Sequence, residues 1–440
     1  MKNLLIEQLW NSIKAPFPRY TPREIYGRIS FPGKISTIIG IRRAGKTYFL
    51  YQLQQELNQT RGIERERLPY LNLEDERLAG ITAADLADMI ETYYRRYPQF
   101  RRDKEVIWFF DEIQYVPNWE RFLRRLLDTE KVQIFVTGSS ATLLSKEIAT
   151  ALRGRAWPVS IFPFSFREFL KHHHIAMPDN PGTLSSSERS FLEHALEKYL
   201  SIGGFPEAQD IDTESRYKLL SDYVDVAIFR DVVERHEVRN VTSLRWVVRH
   251  LLGNPAGLFS VEKFHRALKS QGLPVSKDTL HDFIHYLEDC FLIRVTWKES
   301  ASERERMVNP RKIYPVDPGL IPVFDRSGKA NLGHALETAV RIELERRQMD
   351  VTYIRLKNGY EVDFLTRRFG KPKQLIQVCA ELNEESVKRE IRGLEEAGKL
   401  FPDVERVLIV LIRANTLEIP TNINVVPAIE WFLEVPETND

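Results

Sequence analysis

Gly40-Ile41-Arg42-Arg43-Ala44-Gly45-Lys46-Thr47 fits the pattern G-x-x-x-x-G-K-[ST]. It lies between Ile35-Ser36-Thr37-Ile38-Ile39, a short β-branched run, and Tyr48-Phe49-Leu50, which opens an apolar helical pattern. Strand, glycine-rich turn and helix in that order make a phosphate-binding loop. Gly40 and Gly45 let the backbone turn its N–H groups inward around phosphate oxygens, and the helix N-terminus adds its positive end. Lys46 brings a point charge to the β- and γ-phosphates, and Thr47 brings a hydroxyl to Mg²⁺. The expected cradle for ATP therefore runs through Gly40, Ile41, Arg42, Arg43, Ala44, Gly45, Lys46, Thr47 and Tyr48.

A second stretch answers the first. Val106-Ile107-Trp108-Phe109-Phe110 is an unbroken apolar strand that ends in Asp111-Glu112, the pattern of a Walker B segment. An acid at the carboxyl end of a neighbouring strand reaches the metal beside Thr47, because ligands of open α/β sheets sit outside the strand ends. Asp111 is the expected metal-side acid, and Glu112 the group that orients and deprotonates an attacking water.

Working outward, Leu68-Pro69-Tyr70-Leu71-Asn72-Leu73 reads as another strand, and Val132-Gln133-Ile134-Phe135-Val136-Thr137 as one more, leading into Gly138-Ser139-Ser140. Strands alternating with helical patterns predict a parallel α/β sheet. His172-His173-His174 and the Pro/Gly/Ser-rich stretch from Pro178 to Ser187 read as a loop. The three histidines have no further ligand pattern around them, which favours a solvated loop over a metal site.

Further on, Ser260 to Leu268 reads as one helix and Gly272-Leu273-Pro274 as a turn. Ser276 then caps a helix with Leu280, Phe283, Ile284 and Leu287 on one face. This is helix-turn-helix spacing, with Phe291-Leu292-Ile293 and Val295 as a following wing strand. The second helix carries Asp278, Asp282, Glu288 and Asp289, a poor surface for phosphates. The wing, with Arg294, Lys298, Arg304, Arg306, Arg311 and Lys312, is the better one. A protein contact or lid is as compatible with this segment as duplex DNA.

From about Asn331 the pattern changes again: a helix with Glu337 and Glu343, a strand with Glu361-Val362-Asp363-Phe364-Leu365, and a strand Leu375-Ile376-Gln377-Val378-Cys379. A helix acid, a strand acid and an acid-x-Lys on the next strand form the metal and water site of a PD-(D/E)xK nuclease. Here Gln377 and Cys379 stand in the third element, which predicts a degenerate site of Glu337, Asp363 and Gln377. Lys373, Lys388 and Lys399 are the evident substitutes for the missing lysine, none at the right spacing.

Composition narrows the class. The 440 residues are 43% hydrophobic, ample for several packed cores, and a net charge of +1 restricts nucleic-acid contact to local patches. Cys290 and Cys379 are too few for a disulfide framework and suit a reducing cytoplasm. The start at Met1-Lys2-Asn3 acquires charge too early for a signal peptide, and the apolar run from Val407 to Ile412 is too short to span a bilayer. The expectation is a cytoplasmic protein without membrane contact.

The chain resembles a widespread prokaryotic family of AAA+ ATPases that joins an AAA-type domain to a C-terminal domain of uncharacterised function. The resemblance rests on the phosphate loop, on Phe109-Phe110-Asp111-Glu112-Ile113-Gln114 and on Val136-Thr137-Gly138-Ser139-Ser140-Ala141. It rests further on Leu152-Arg153-Gly154-Arg155, Gly203-Gly204-Phe205-Pro206 and Glu361-Val362-Asp363-Phe364. It implies Thr137 or Ser139 as sensor 1, Arg153 or Arg155 as an arginine reading the γ-phosphate, and Asn72, more weakly, as a residue holding Glu112 inactive. The fold implied is α/β: a P-loop NTPase with an AAA+-like parallel sheet over residues 1–175, a helical and winged-helix region over 188–325, and a restriction-endonuclease-like domain over 326–440. Three functions are compatible: a Mg-dependent ATPase that rearranges its C-terminal modules, with duplex DNA as one partner; an ATP-gated DNA nuclease; and a slow nucleotide switch that binds protein partners. Oligomeric state is left open.

Overall fold

The structure, a computed structural model, describes residues 2–138, 150–273, 275–325, 331–381, 384–412 and 419–435. The chain divides into two compact units, Met1–Ile161 and Phe162–Asp440. Among the described residues no helix is long and apolar enough to cross a membrane.

The first unit is built on a five-stranded sheet of β1 (Ile35–Ile39), β2 (Tyr70–Asn72), β3 (Val106–Asp111), β4 (Val132–Thr137) and β5 (Ala156–Ser160). All pairings are parallel and the spatial order is β2-β3-β4-β1-β5. Every residue of β1 and β3 is buried, as strands covered on both faces require. The Walker B strand is thus not the immediate neighbour of the phosphate-loop strand, since β4 lies between them. In register Phe110 faces Val136, and Ile38 faces Thr137, so the loop after β1, the acids ending β3 and the end of β4 share one sheet edge.

The second unit carries an eight-stranded sheet in the order β13-β12-β11-β10-β9-β7-β8-β6. Its strands are β6 (Leu258–Phe259), β7 (Ile293–Lys298), β8 (Arg311–Pro315), β9 (Asp350–Arg355), β10 (Glu361–Arg367), β11 (Gln374–Glu381), β12 (Glu405–Ile412) and β13 (Asn424–Pro427). Helices Val261–Ser270 and Lys277–Asp289 precede the antiparallel β7–β8 pair, both with serine N-caps. The helix Leu332–Arg346 places Leu336, Val340 and Leu344 with Phe364, Ile376 and Ile409 in one core. A second core joins Val362, Leu365, Leu375 and Leu408 with Leu394 and Ala397 of the helix Glu384–Leu400. An irregularity in the β9–β10 register between Val362 and Leu365 breaks the period-two alternation at Asp363.

The compact units divide the chain differently from the three expected ranges. Strand β7 pairs with β9 in parallel, Trp297 against Thr352, so the sheet runs without interruption across residue 325. Phe166, Phe169 and Leu170, expected within the first domain, pack in the core of the second unit. The helix Phe166–His172, opened by a Ser165/Glu168 capping box, also takes His172 out of the expected loop.

Gly203-Gly204 illustrates how tightly this unit is closed. The Asp317 carboxylate accepts N–H bonds from Gly204 at 2.7 Å and Gly319 at 2.9 Å, and Phe164 N–H donates to Gly204 O at 2.6 Å. A Cβ on Gly204 would lie 2.2 Å from the Phe164 carbonyl oxygen, against backbone with little freedom to yield. Gly204→Ala is therefore expected to destabilise this unit by about 1–3 kcal/mol or more. Urea unfolding measures this, and an unchanged midpoint would contradict the packing.

Candidate active site: the phosphate loop and the acids of β3

The loop after β1 has the conformation that phosphate binding needs. Gly40 has φ 149°, and a Cβ there would fall 1.9 Å from Ile161 O, so the backbone path excludes a side chain. Gly45 is left-handed at φ 96° and starts the helix Lys46–Gln59, whose first N–H groups face the loop. Lys46 is buried, its Nζ donating to Gly40 O at 3.1 Å and Ile41 O at 3.3 Å, so the ammonium is folded over the loop. Tyr48 is half exposed and stacks edge-on against Tyr51. From outside the motif, Arg23 is buried and donates to Ala44 O at 2.6 Å, bracing the loop.

Asp111 is buried at the end of β3. Tyr70 O–H donates to its Oδ2 at 2.7 Å, Thr137 Oγ1 donates to its Oδ1, and Thr47 also hydrogen-bonds it. Burial pushes this carboxyl above the ordinary carboxylate range, against the hydroxyls of Thr137 and Tyr70, which pull it back. A divalent cation would supply the missing positive charge. Thr47 and Asp111, the two expected Mg²⁺ ligands, thus meet directly.

Glu112 follows in left-handed backbone, φ 54° and ψ 48°, a conformation that costs a non-glycine residue about 1 kcal/mol or more. Its N–H donates to Thr137 Oγ1 at 3.0 Å, so Thr137 links both acids. Gln114 Nε2 donates to Glu112 Oε2 at 2.5 Å. Asn72 does not hold Glu112: its Oδ1 accepts the Glu74 N–H at 3.0 Å, a local turn on an exposed residue. Of the two expected sensors, Thr137 is in contact with the acids, whereas Ser139 lies outside the described residues.

Arg153 and Arg155 lie at the other end of the sheet from the phosphate loop. Strand β5 runs parallel to β1 with Ala156 opposite Ile35, and Ile35 N–H donates to Arg155 O at 2.7 Å. The arginines therefore enter the sheet at its amino edge, a full strand away from Gly40, roughly 13–17 Å at about 3.3 Å per residue. Arg155 pairs with Asp128. It does not reach a phosphate held by its own loop. Arg155→Ala is expected to leave ATP turnover by the isolated chain within about two-fold of wild type, as suits a partly exposed ion pair. A loss of turnover without a loss of fold would restore a role for it, supplied to a second copy.

In the second unit Glu337, Asp363 and Gln377 line one cavity, and Lys312, which the sequence reading placed in the wing, stands beside the two acids. Lys312 Nζ, from β8, lies 3.0 Å from Glu337, 2.8 Å from Glu361 and 2.8 Å from Asp363. Lys373 and Lys388 are exposed, and Lys399 is exposed and pairs with Glu396 at 2.5 Å. The same contact removes Lys312 from the wing cations. Arg294 is likewise buried, 3.0 Å from Glu345 and stacked 3.7 Å from the Phe291 ring, and Arg311 lies 4.1 Å from the Trp297 ring. His172 and His173 face Asp210 at 3.5 and 3.4 Å. Among the described residues no group of three or more His, Cys, Asp or Glu is arranged to hold a metal ion.

A protein-family model described as an AAA domain matches residues 32–170, and a second, described as a domain of unknown function (DUF8612), matches residues 193–329. With the strand order and the loop geometry, this makes the first unit an AAA-type P-loop ATPase domain. The chain belongs to the family of the "Uncharacterized protein MJ1544" of Methanocaldococcus jannaschii: the two are 39% identical over 374 residues, 84% of this chain and 79% of that one. An "Uncharacterized protein" of Haemophilus influenzae is 28% identical over 400 residues, 91% of this chain and 94% of its own. Among solved structures, the Walker-type ATPase paby2304 of Pyrococcus abyssi is similar at 16% identity and a TM-score of 0.37, covering 74% of this chain and 95% of that one. The Aeropyrum pernix ORC1 protein, solved in complex with DNA, follows at 14% identity and a TM-score of 0.26, over 73% of this chain and 90% of that one. Likenesses this low carry no argument about function.

Proposed function

We propose that this protein is a Mg²⁺-dependent ATPase. The observation that carries the reading is the meeting of Thr47, Asp111, Glu112 and Thr137 at one sheet edge beside the phosphate loop. In this reading Lys46 turns from the loop carbonyls to the β- and γ-phosphates, and Thr47 and Asp111 hold Mg²⁺. Bound Mg²⁺ would neutralise charge on the phosphate oxygens. Glu112 orients water and accepts its proton, and Thr137 ties the position of that base to the metal-side acid.

The short Gln114–Glu112 bond favours a second, compatible reading, a nucleotide switch with slow basal turnover. A carboxylate already holding an amide is a poorer base until that donor is withdrawn. We further propose that nucleotide state acts on the second unit, read as a winged helix followed by a restriction-endonuclease-like core. The serine-capped helices ahead of the β7–β8 pair support the first part, and the element order helix, β9, β10, β11, helix, β12 supports the second. Duplex DNA is the weaker partner in this reading, because two of the six wing cations are buried in ion pairs. Turnover measured with and without duplex DNA at low salt tests the partner: stimulation lost in an Arg304→Ala/Arg306→Ala variant supports DNA, and turnover indifferent to DNA supports a protein partner.

A further inference from the structure

The carboxylates around Lys312 line a cavity of about 790 Å³ together with Gln377 and Glu390. A helix, β8 and β10 each contribute to this cluster, and a nuclease-like core would hold a divalent cation here. The fit can be judged from what the oxygens already do. Glu337 Oε1 accepts from Lys312 Nζ at 3.0 Å and from Tyr314 O–H at 2.8 Å. Asp363 Oδ1 accepts from Lys312 at 2.8 Å, and Oδ2 from the Val378 N–H at 3.0 Å. Gln377 Oε1 accepts the Asp363 N–H at 3.2 Å, while its Nε2 donates to Glu390 Oε2 at 2.7 Å. Cys379 Sγ donates to Glu381 O. The residues do not fit a divalent ion as they stand, because the groups that would face it are bonded to protein donors.

An ammonium with three carboxylates around it satisfies its three N–H groups. We infer that Lys312 takes the place of the divalent cation in this core, so that the cluster is a metal-free lock tying β8 to β10 and to the helix Leu332–Arg346. Charge agrees with the geometry. Burial works against the Lys312 ammonium, yet Asp363, Tyr314, Glu337 and Glu361 together hold its proton well above the ordinary lysine range. Burial and then the neighbouring Asp363 raise the Glu337 carboxyl, which moves the cluster toward neutrality without a second cation.

The inference is independent of the ATPase reading and is tested on the nucleotide-free full chain with Mn²⁺ as the probe, free Mn²⁺ being read by electron paramagnetic resonance. An Asp363→Asn variant supplies the background from the phosphate-loop unit. Wild type is expected to take up no more Mn²⁺ than Asp363→Asn, and neither Mn²⁺ nor EDTA should move its thermal midpoint. Lys312→Met should gain about one further equivalent, lost again in Lys312→Met/Asp363→Asn. Wild-type uptake that depends on Asp363, or Asp363-dependent cleavage of supercoiled DNA with Mn²⁺, would overturn the inference. A folded Lys312→Met protein with no gain would also overturn it. Lys312→Gln serves as the second variant, and if neither folds the wild-type comparison decides alone.

Discussion

Glu112→Gln is expected to bind ATP as tightly as wild type while its hydrolysis falls by about 10²- to 10⁴-fold, the range for removing a general base. The substitution is conservative where it matters. Glutamine keeps the length of the side chain, and its carbonyl oxygen can still accept the bond that Gln114 Nε2 now makes to Glu112 at 2.5 Å. The Glu112 N–H bond to Thr137 belongs to the backbone and stays. What is lost is the negative charge and the proton acceptor, so the effect should fall on turnover rather than on affinity. Single-turnover hydrolysis beside equilibrium binding of a fluorescent ATP analogue separates the two; hydrolysis at the wild-type rate would remove Glu112 from the base role.

Lys46→Ala should do the reverse. Its ammonium, now bonded to Gly40 O and Ile41 O, is a cation of the loop motif held among the loop carbonyls. Charged hydrogen bonds contribute roughly 1.5–3 kcal/mol each, so losing the phosphate contact should raise the Kd for ATP by about 10- to 150-fold or more. Helix Lys46–Gln59 should survive, since Lys46 is its first residue and alanine is a good helix former. Equal affinity of Lys46→Ala and wild type, measured by calorimetry, would mean that ATP binds elsewhere.

The phosphate loop and the Walker B acids were legible because their chemistry is written within a few consecutive residues, and the parallel α/β character because strands and helices alternate. What was not legible depends on pairing across long separations. Nothing in Arg153-Gly154-Arg155 says at which end of the sheet it enters; that follows from β5 pairing with β1. Tyr70 reaches Asp111 across 41 residues, and Lys312 reaches Asp363 across 51. Lys312 read as a wing cation because it lies beside Arg311, and strand alternation alone does not say that the next residue turns into a cavity lined with acids. The continuity of the sheet across residue 325 is hidden for a related reason: the helices before β7 resemble a separate module, and the β7–β9 pairing makes their strands part of the larger sheet. Gln114 was visible as part of a motif, but its bond to Glu112 requires the left-handed turn at Glu112, which the sequence does not announce.

The most direct measurement is phosphate release from ATP by the purified 440-residue chain, with Mg²⁺ and with EDTA, beside Lys46→Ala. The account predicts saturable release by wild type that EDTA abolishes and that Lys46→Ala lacks at the same ATP concentration. Release that persists in EDTA, or that proceeds equally in Lys46→Ala, would contradict it.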